Sequence, residues 1–171
     1  MLLEITEGLD VANALGIIKY EPPIPVHLAG EVKNLLGKTL KYDIENIQKY
    51  PNVLEQGELV VMTEKLHGTW CCLACYPGLD DPELLNGNMF AASKGLSEQG
   101  LVFKNNEANA GNLYHKTLLK YKDAVLSVVD AEPGLPVYLL GEVFGPVQDL
   151  TYGLTTPEFR VFDIYVGKPG E

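Results

Sequence analysis

The chain has 171 residues, enough for one self-supporting core, and its 46% hydrophobic and 21% charged composition is that of an ordinary globular protein. A formal net charge of -10 argues against indiscriminate binding to nucleic acid, and no run approaches the roughly 18 apolar residues of a membrane span. The opening stretch MLLEITEGLD has neither a basic leader nor a sustained apolar segment, which argues against a secretory signal and for an intracellular, cytoplasmic protein.

Taken in chain order, residues 20–30 (YEPPIPVHLAG) form a proline-rich entry that cannot be regular helix. In YDIENIQKYPNVL, Ile44, Ile47 and Tyr50 or Leu54 recur at helical spacing, with Asp43 as N-cap and Pro51 as stop, so a short helix is expected. Strands are expected over 58–64, 69–76 and 88–93, and the Asn-, Gly- and Glu-rich stretch 105–112 reads as a loop. Leu113, Leu118, Tyr121, Val125 and Val128 place a helix over about 113–130, with its lysines on the other face. Two more strands, PVYLLGEVFG and FRVFDIYVG, flank a turn-rich link over 145–158. Strands outnumber helices and the gaps are hairpin-sized, so the expected class is α+β with largely antiparallel pairing.

Charge and thiols narrow the chemistry. Residues 91–122 carry a net +3 against -13 for the remainder, a basic segment that could track a phosphate backbone or simply be a solvated helix face. Cys71, Cys72 and Cys75 fall in one strand-like stretch with no second pair after them, which favours buried reduced thiols over a metal site.

The run VVMTEKLHGTWCCLACY sets the charged pair Glu64-Lys65 inside an otherwise apolar stretch. Lysine is among the residues least often found fully inside, so its burial would need partners. If 58–64 is a strand, Lys65 ends it, Gly68 permits a tight turn and Thr69 starts the next strand. The amine then stands at a hairpin mouth, where desolvation beside another cation would make it a nucleophile. From this segment alone the plainer reading is a snorkelling surface lysine.

The segments downstream add to this. In order and spacing, EKLHGTW (64–70), AASKGL (91–96), GEVFG (141–145) and FRVFDIYV (159–166) resemble the covalent nucleotidyltransferases, the ATP-dependent ligases and mRNA capping enzymes. Glu-Lys-x-His-Gly-Thr followed by Ser-Lys-Gly and Phe-Asp-Ile is similar to the nick-sealing RNA ligase branch. KYEPPIPVHLAGEV resembles the lead-in of those RNA ligases that carry an N-terminal OB-type domain.

The resemblance implies a nucleotidyltransferase catalytic domain of antiparallel sheets with flanking helices, incomplete at the C-terminus. Residues 1–30 would be an entry or linker and 31–171 a partial adenylyltransferase domain. Lys65 would form a lysyl-AMP from ATP, and the adenylate would pass to an RNA 5'-phosphate before a 3'-OH seals the strand. Glu64, His67 and Gly68 would shape the pocket around the adenylate. Lys94 would lie near ribose and phosphate, Phe162 would stack on adenine with Asp163 beside it, and Glu142 would meet a ribose hydroxyl or a hydrated Mg2+ or Mn2+ ion. Taken from the residues alone, His67 and Phe162 could equally be core side chains and Glu142 half of a core ion pair. Strand alternation would put Phe162 and Ile164 on one face and Val161 and Asp163 on the other.

The implied partner is RNA or a nicked duplex with an RNA 3'-OH end, and no membrane. The family's later Glu-rich and Lys-x-Lys strands have no counterpart here, so a missing C-terminal segment or a second chain is expected to complete the site. Two other readings stay open: another covalent nucleotidyltransferase (a DNA ligase or capping guanylyltransferase), and a non-catalytic remnant that binds RNA or nucleotide.

Overall fold

The structure, a computed structural model, describes residues 15–16, 28 and 30–170. Apart from Leu28 and Gly30, the proline-rich entry expected over 20–30 lies outside the described residues, as does most of the expected 1–30 linker. Among the described residues six strands pair antiparallel throughout: β1 (Val32–Asn34), β2 (Gly68–Cys75), β3 (Met89–Ser93), β4 (Leu101–Phe103), β5 (Val137–Phe144) and β6 (Glu158–Val166). They form one sheet in the order β1-β4-β3-β2-β5-β6, with helices α1 (Lys94–Glu98) and α2 (Leu113–Ala131) beside it. The expected α+β class and antiparallel pairing are both present.

β2 lies between β3 and β5 and is apolar on both faces, because both faces are covered. Cys72, Ala74, Phe90, Tyr138 and Leu140 pack with Val32, Leu40 and Val102 on one side. Cys71, Leu73, Met89, Leu139 and Val143 pack against Leu118 and Val125 of α2 on the other. The helix starts where expected because the Asn112 side chain accepts from the N–H groups of Tyr114 and His115, satisfying two donors the first turn leaves unpaired. The three thiols are buried and free, and burial pushes the Cys72 thiol up to about 12, so it stays neutral and unreactive.

Two expected elements differ. Residues 58–64 form no strand: Leu59 is 95% and Met62 92% exposed, and among the described residues no strand lies beside them. An apolar run becomes a strand only where a neighbouring ladder satisfies its backbone. Over 43–51 there is one 3-10 turn, Ile47–Lys49, capped by Asn46 rather than Asp43. Ile44 and Ile47 stay exposed, so no burial supports a longer helix. Strands β1 and β4 and helix α1 were not expected; at three to five residues each they are too short to carry a period.

A bulge between β5 and β6 changes which side chains share a face. Leu140 pairs with Asp163 and Gly141 with Val161, leaving Phe162 as the extra residue. Val161 and Asp163 therefore fall on opposite faces, and the expected alternation is overturned. Gly141 beside the bulge has no room for a side chain: a Cβ there would strike the Phe159 ring and the Arg160 carbonyl.

Candidate active site

The candidate residues converge on one end of the central strands. Gly68 opens β2 opposite Phe144 on β5, and a Cβ at Gly68 would collide with the Val143 carbonyl oxygen, so the close strand approach requires glycine. That approach lets the Gly68 N–H donate to Glu142 Oε1 at 3.1 Å. The Glu142 carboxylate is half-buried opposite Trp70. Desolvation raises its pKa above the usual carboxylate range, while the Lys65 charge, the Gly68 N–H and His67 pull it back down. Lys65, His67, Gly68 and Glu142 are thus one electrostatic group.

Lys65 and Glu64 are both exposed, so the expected burial of this pair does not occur. With no strand over 58–64, nothing among the described residues covers them, and the hairpin mouth is instead an irregular approach to β2. Among the described residues, no hydrogen bond or ion pair ties Glu64 to the group around Glu142.

A second group lies next to the first on the same sheet face. Glu142 and Leu140 are two residues apart on β5, about 7 Å along a strand, and Leu140 is opposite Asp163. The Tyr42 hydroxyl donates to Asp163 Oδ2 at 2.5 Å, and its ring lies 6.1 Å from that of Phe162. Desolvation and then the bond to Asp163 push the Tyr42 phenol up to about 12. The next residue, Asp43, pairs with Lys94 at 2.9 Å; that amine holds the Asp43 carboxyl below its ordinary value, and Asp43 raises Lys94. Phe162 is 44% exposed, a stacking surface rather than core. An open depression of about 350 Å³, lined by Lys41, Tyr42, Asp43 and Glu98, adjoins this group.

The link over 145–157 contributes two side chains absent from the sequence expectations. Tyr152 Oη accepts from the His67 N–H at 2.7 Å, and Gln148 Nε2 donates to the Gly68 carbonyl at 3.3 Å. Tyr42 lies in a stretch of helical spacing and Tyr152 in a turn-rich link. No local pattern marks either. Among the described residues no cluster of three or more His, Cys, Asp or Glu side chains could hold a metal, so Glu142 is not part of a ready-made inner coordination shell. Among the described residues no helix is long and apolar enough to cross a membrane.

Comparison with known proteins adds a family and a fold. The family model described as RNA ligase matches residues 58–170. No curated protein sequence matches the chain. A solved structure of Naegleria gruberi RNA ligase with pyrophosphate is similar at a TM-score of 0.53 and 24% identity, over 92% of this chain and 42% of that one. The chain therefore has the α+β fold of an RNA ligase nucleotidyltransferase domain and spans under half of that enzyme's length. A variant of the same enzyme with ATP and manganese aligns at a TM-score of 0.49 and 21% identity, over 95% of this chain and 44% of that one.

Proposed function

Because the chain belongs to the RNA ligase family, we propose that residues 31–171 are the adenylyltransferase part of an ATP-dependent RNA ligase, with Lys65 as nucleophile. The Lys65 nitrogen attacks the α-phosphorus of ATP; a P–N bond forms, the P–O bond to the leaving pyrophosphate breaks, and the amine gives up its proton. AMP then passes to an RNA 5'-phosphate, and a 3'-OH displaces it to join the strands. Phosphoryl transfer asks chiefly for positioning and charge neutralisation.

The observation that carries this reading is the convergence of the Glu142 carboxylate, the Gly68 amide and the Lys65 charge at the edge of a sheet face that also presents Phe162. Lys94 supplies a second cation for phosphate once Asp43 releases it, and Phe162 offers its ring to a base. His67 and Asp163 line the two ends of the site, and Glu64 faces solvent beside Lys65. Magnesium or manganese would enter with its waters on the phosphates of ATP, where it would neutralise charge and Glu142 would touch its hydration shell. The free, neutral thiols suit an intracellular, cytoplasmic setting. Complete sealing is proposed to need a further segment or second chain, and the apolar side chains Val161, Phe162 and Ile164, exposed on edge strand β6, suit such a neighbour.

The test is incubation with α-labelled ATP and magnesium or manganese, followed by denaturation. Label that survives, and that is lost in Lys65→Ala, supports the enzyme; a higher yield with GTP would point to a capping-type guanylyltransferase. ATP binding without covalent label would support a non-catalytic remnant, a reading favoured by the contacts Tyr42 and Asp43 make with Phe162 and Lys94.

A further inference from the structure

We infer that Tyr152 is a positioning residue for the Lys65 nucleophile, holding through its hydroxyl the peptide two residues downstream of the reactive amine. This rests on the proposed adenylyltransferase reading. The segment 59–66 joins no strand and makes no backbone ladder bond among the described residues, so Lys65 gains its placement from the first anchored peptides after it. Those peptides are His67 and Gly68. Three of their backbone groups are held by side chains, all from the stretch 142–152: His67 N–H by Tyr152 Oη, Gly68 N–H by Glu142 and Gly68 C=O by Gln148.

Tyr152 is itself built for this role. Its backbone lies in the left-handed region at φ 53, a conformation that non-glycine residues seldom adopt outside turns. Its ring stands edge-on to Phe144 at 5.5 Å and 88°, and Phe144 is the residue that pairs with Gly68. The phenol is therefore fixed from the same strand end that carries Glu142. A displacement near 1 Å at a reacting group costs about 100-fold in rate, so loosening one of three such holds is expected to cost about 10-fold.

The experiment uses the 171-residue chain and Tyr152→Phe, which keeps the ring on Phe144 and removes only the hydroxyl. The expected result is an about 10-fold slower single-turnover formation of lysyl-AMP at saturating ATP, with the ATP dissociation constant and thermal midpoint unchanged and faster amide hydrogen exchange at His67. A parental rate, a loss confined to ATP affinity, or unchanged exchange at His67 would overturn the inference. If the parent chain takes no label, the adenylyltransferase reading fails, and the role assigned to Tyr152 fails with it; the exchange measurement then reports whether the hydrogen bond exists at all. Should Tyr152→Phe fold poorly, amide exchange at His67 in the parental chain decides: protection well above that of an unfolded peptide is expected, and exchange at the unprotected rate overturns the inference.

Discussion

The run 59–62 (LVVM) and strand β2 lie close in sequence, are both apolar, and are opposite in fate. Leu73 on β2 is buried between β3, β5 and α2, whereas Leu59, Val61 and Met62 face solvent. Hydrophobicity does not distinguish them; hydrogen-bonding partners on both sides do. The change from one regime to the other occurs at residues 65–68, where the candidate nucleophile and the glycine that starts the ladder stand next to each other. An amine so placed is open to a ligand from the 58–66 side and anchored from the β2 side.

The largest effect is expected at the boundary itself. Gly68→Val should drive a side chain into the Val143 carbonyl and cost more than about 4 kcal/mol, read as collapse of the thermal transition. A stable Gly68→Val protein would mean that β2 and β5 are not in this register. Next, Leu73→Ala should cost about 3 kcal/mol in denaturant unfolding while Leu59→Ala stays within about 0.5 kcal/mol. Equal costs for the two would erase the contrast between the regions.

Glu142→Gln tests the electrostatics at the junction. Because the folded Glu142 carboxyl titrates above its unfolded value, the fold binds that proton more tightly; this stabilisation is fully present below the unfolded pKa and is lost as pH rises through the folded one. Glutamine can still accept the Gly68 N–H, so the variant should melt higher than the parent at pH 7, with the difference shrinking as the pH falls to about 4. An advantage that grows on acidification would reverse the sign and dismiss the desolvation argument. The smallest effect belongs to Asp43→Asn. Its pair with Lys94 is solvent-exposed, so thermal stability should stay unmoved, while freeing Lys94 should tighten ATP binding by about threefold in equilibrium titration. Weaker binding would show that Asp43 assists the site instead of occupying its cation.

Much of the sheet body and the chemical kinds of the site residues could be read from residue order alone. β2, β3, β5, β6 and α2 carry local signals: strand-length apolar runs bounded by turn residues and a helical period over 113–130. Lys65, His67, Gly68 and Glu142 do come together, while the burial expected for Lys65 and the shared face expected for Val161 and Asp163 do not hold. The bulge decides the second point, and a single inserted pairing step leaves no mark in composition.

Sequence by itself determined which side chains could do chemistry and which runs could pair, since both depend on residues within a turn or two of one another. Tertiary structure alone decided which runs found a neighbouring strand and which distant groups closed the site. Tyr42 reaches Asp163 across 121 residues and Tyr152 reaches His67 across 85. Such contacts form only after the sheet brings those segments together, because a hydrogen bond needs its partner within about 3 Å, and no local pattern states where a distant partner will arrive.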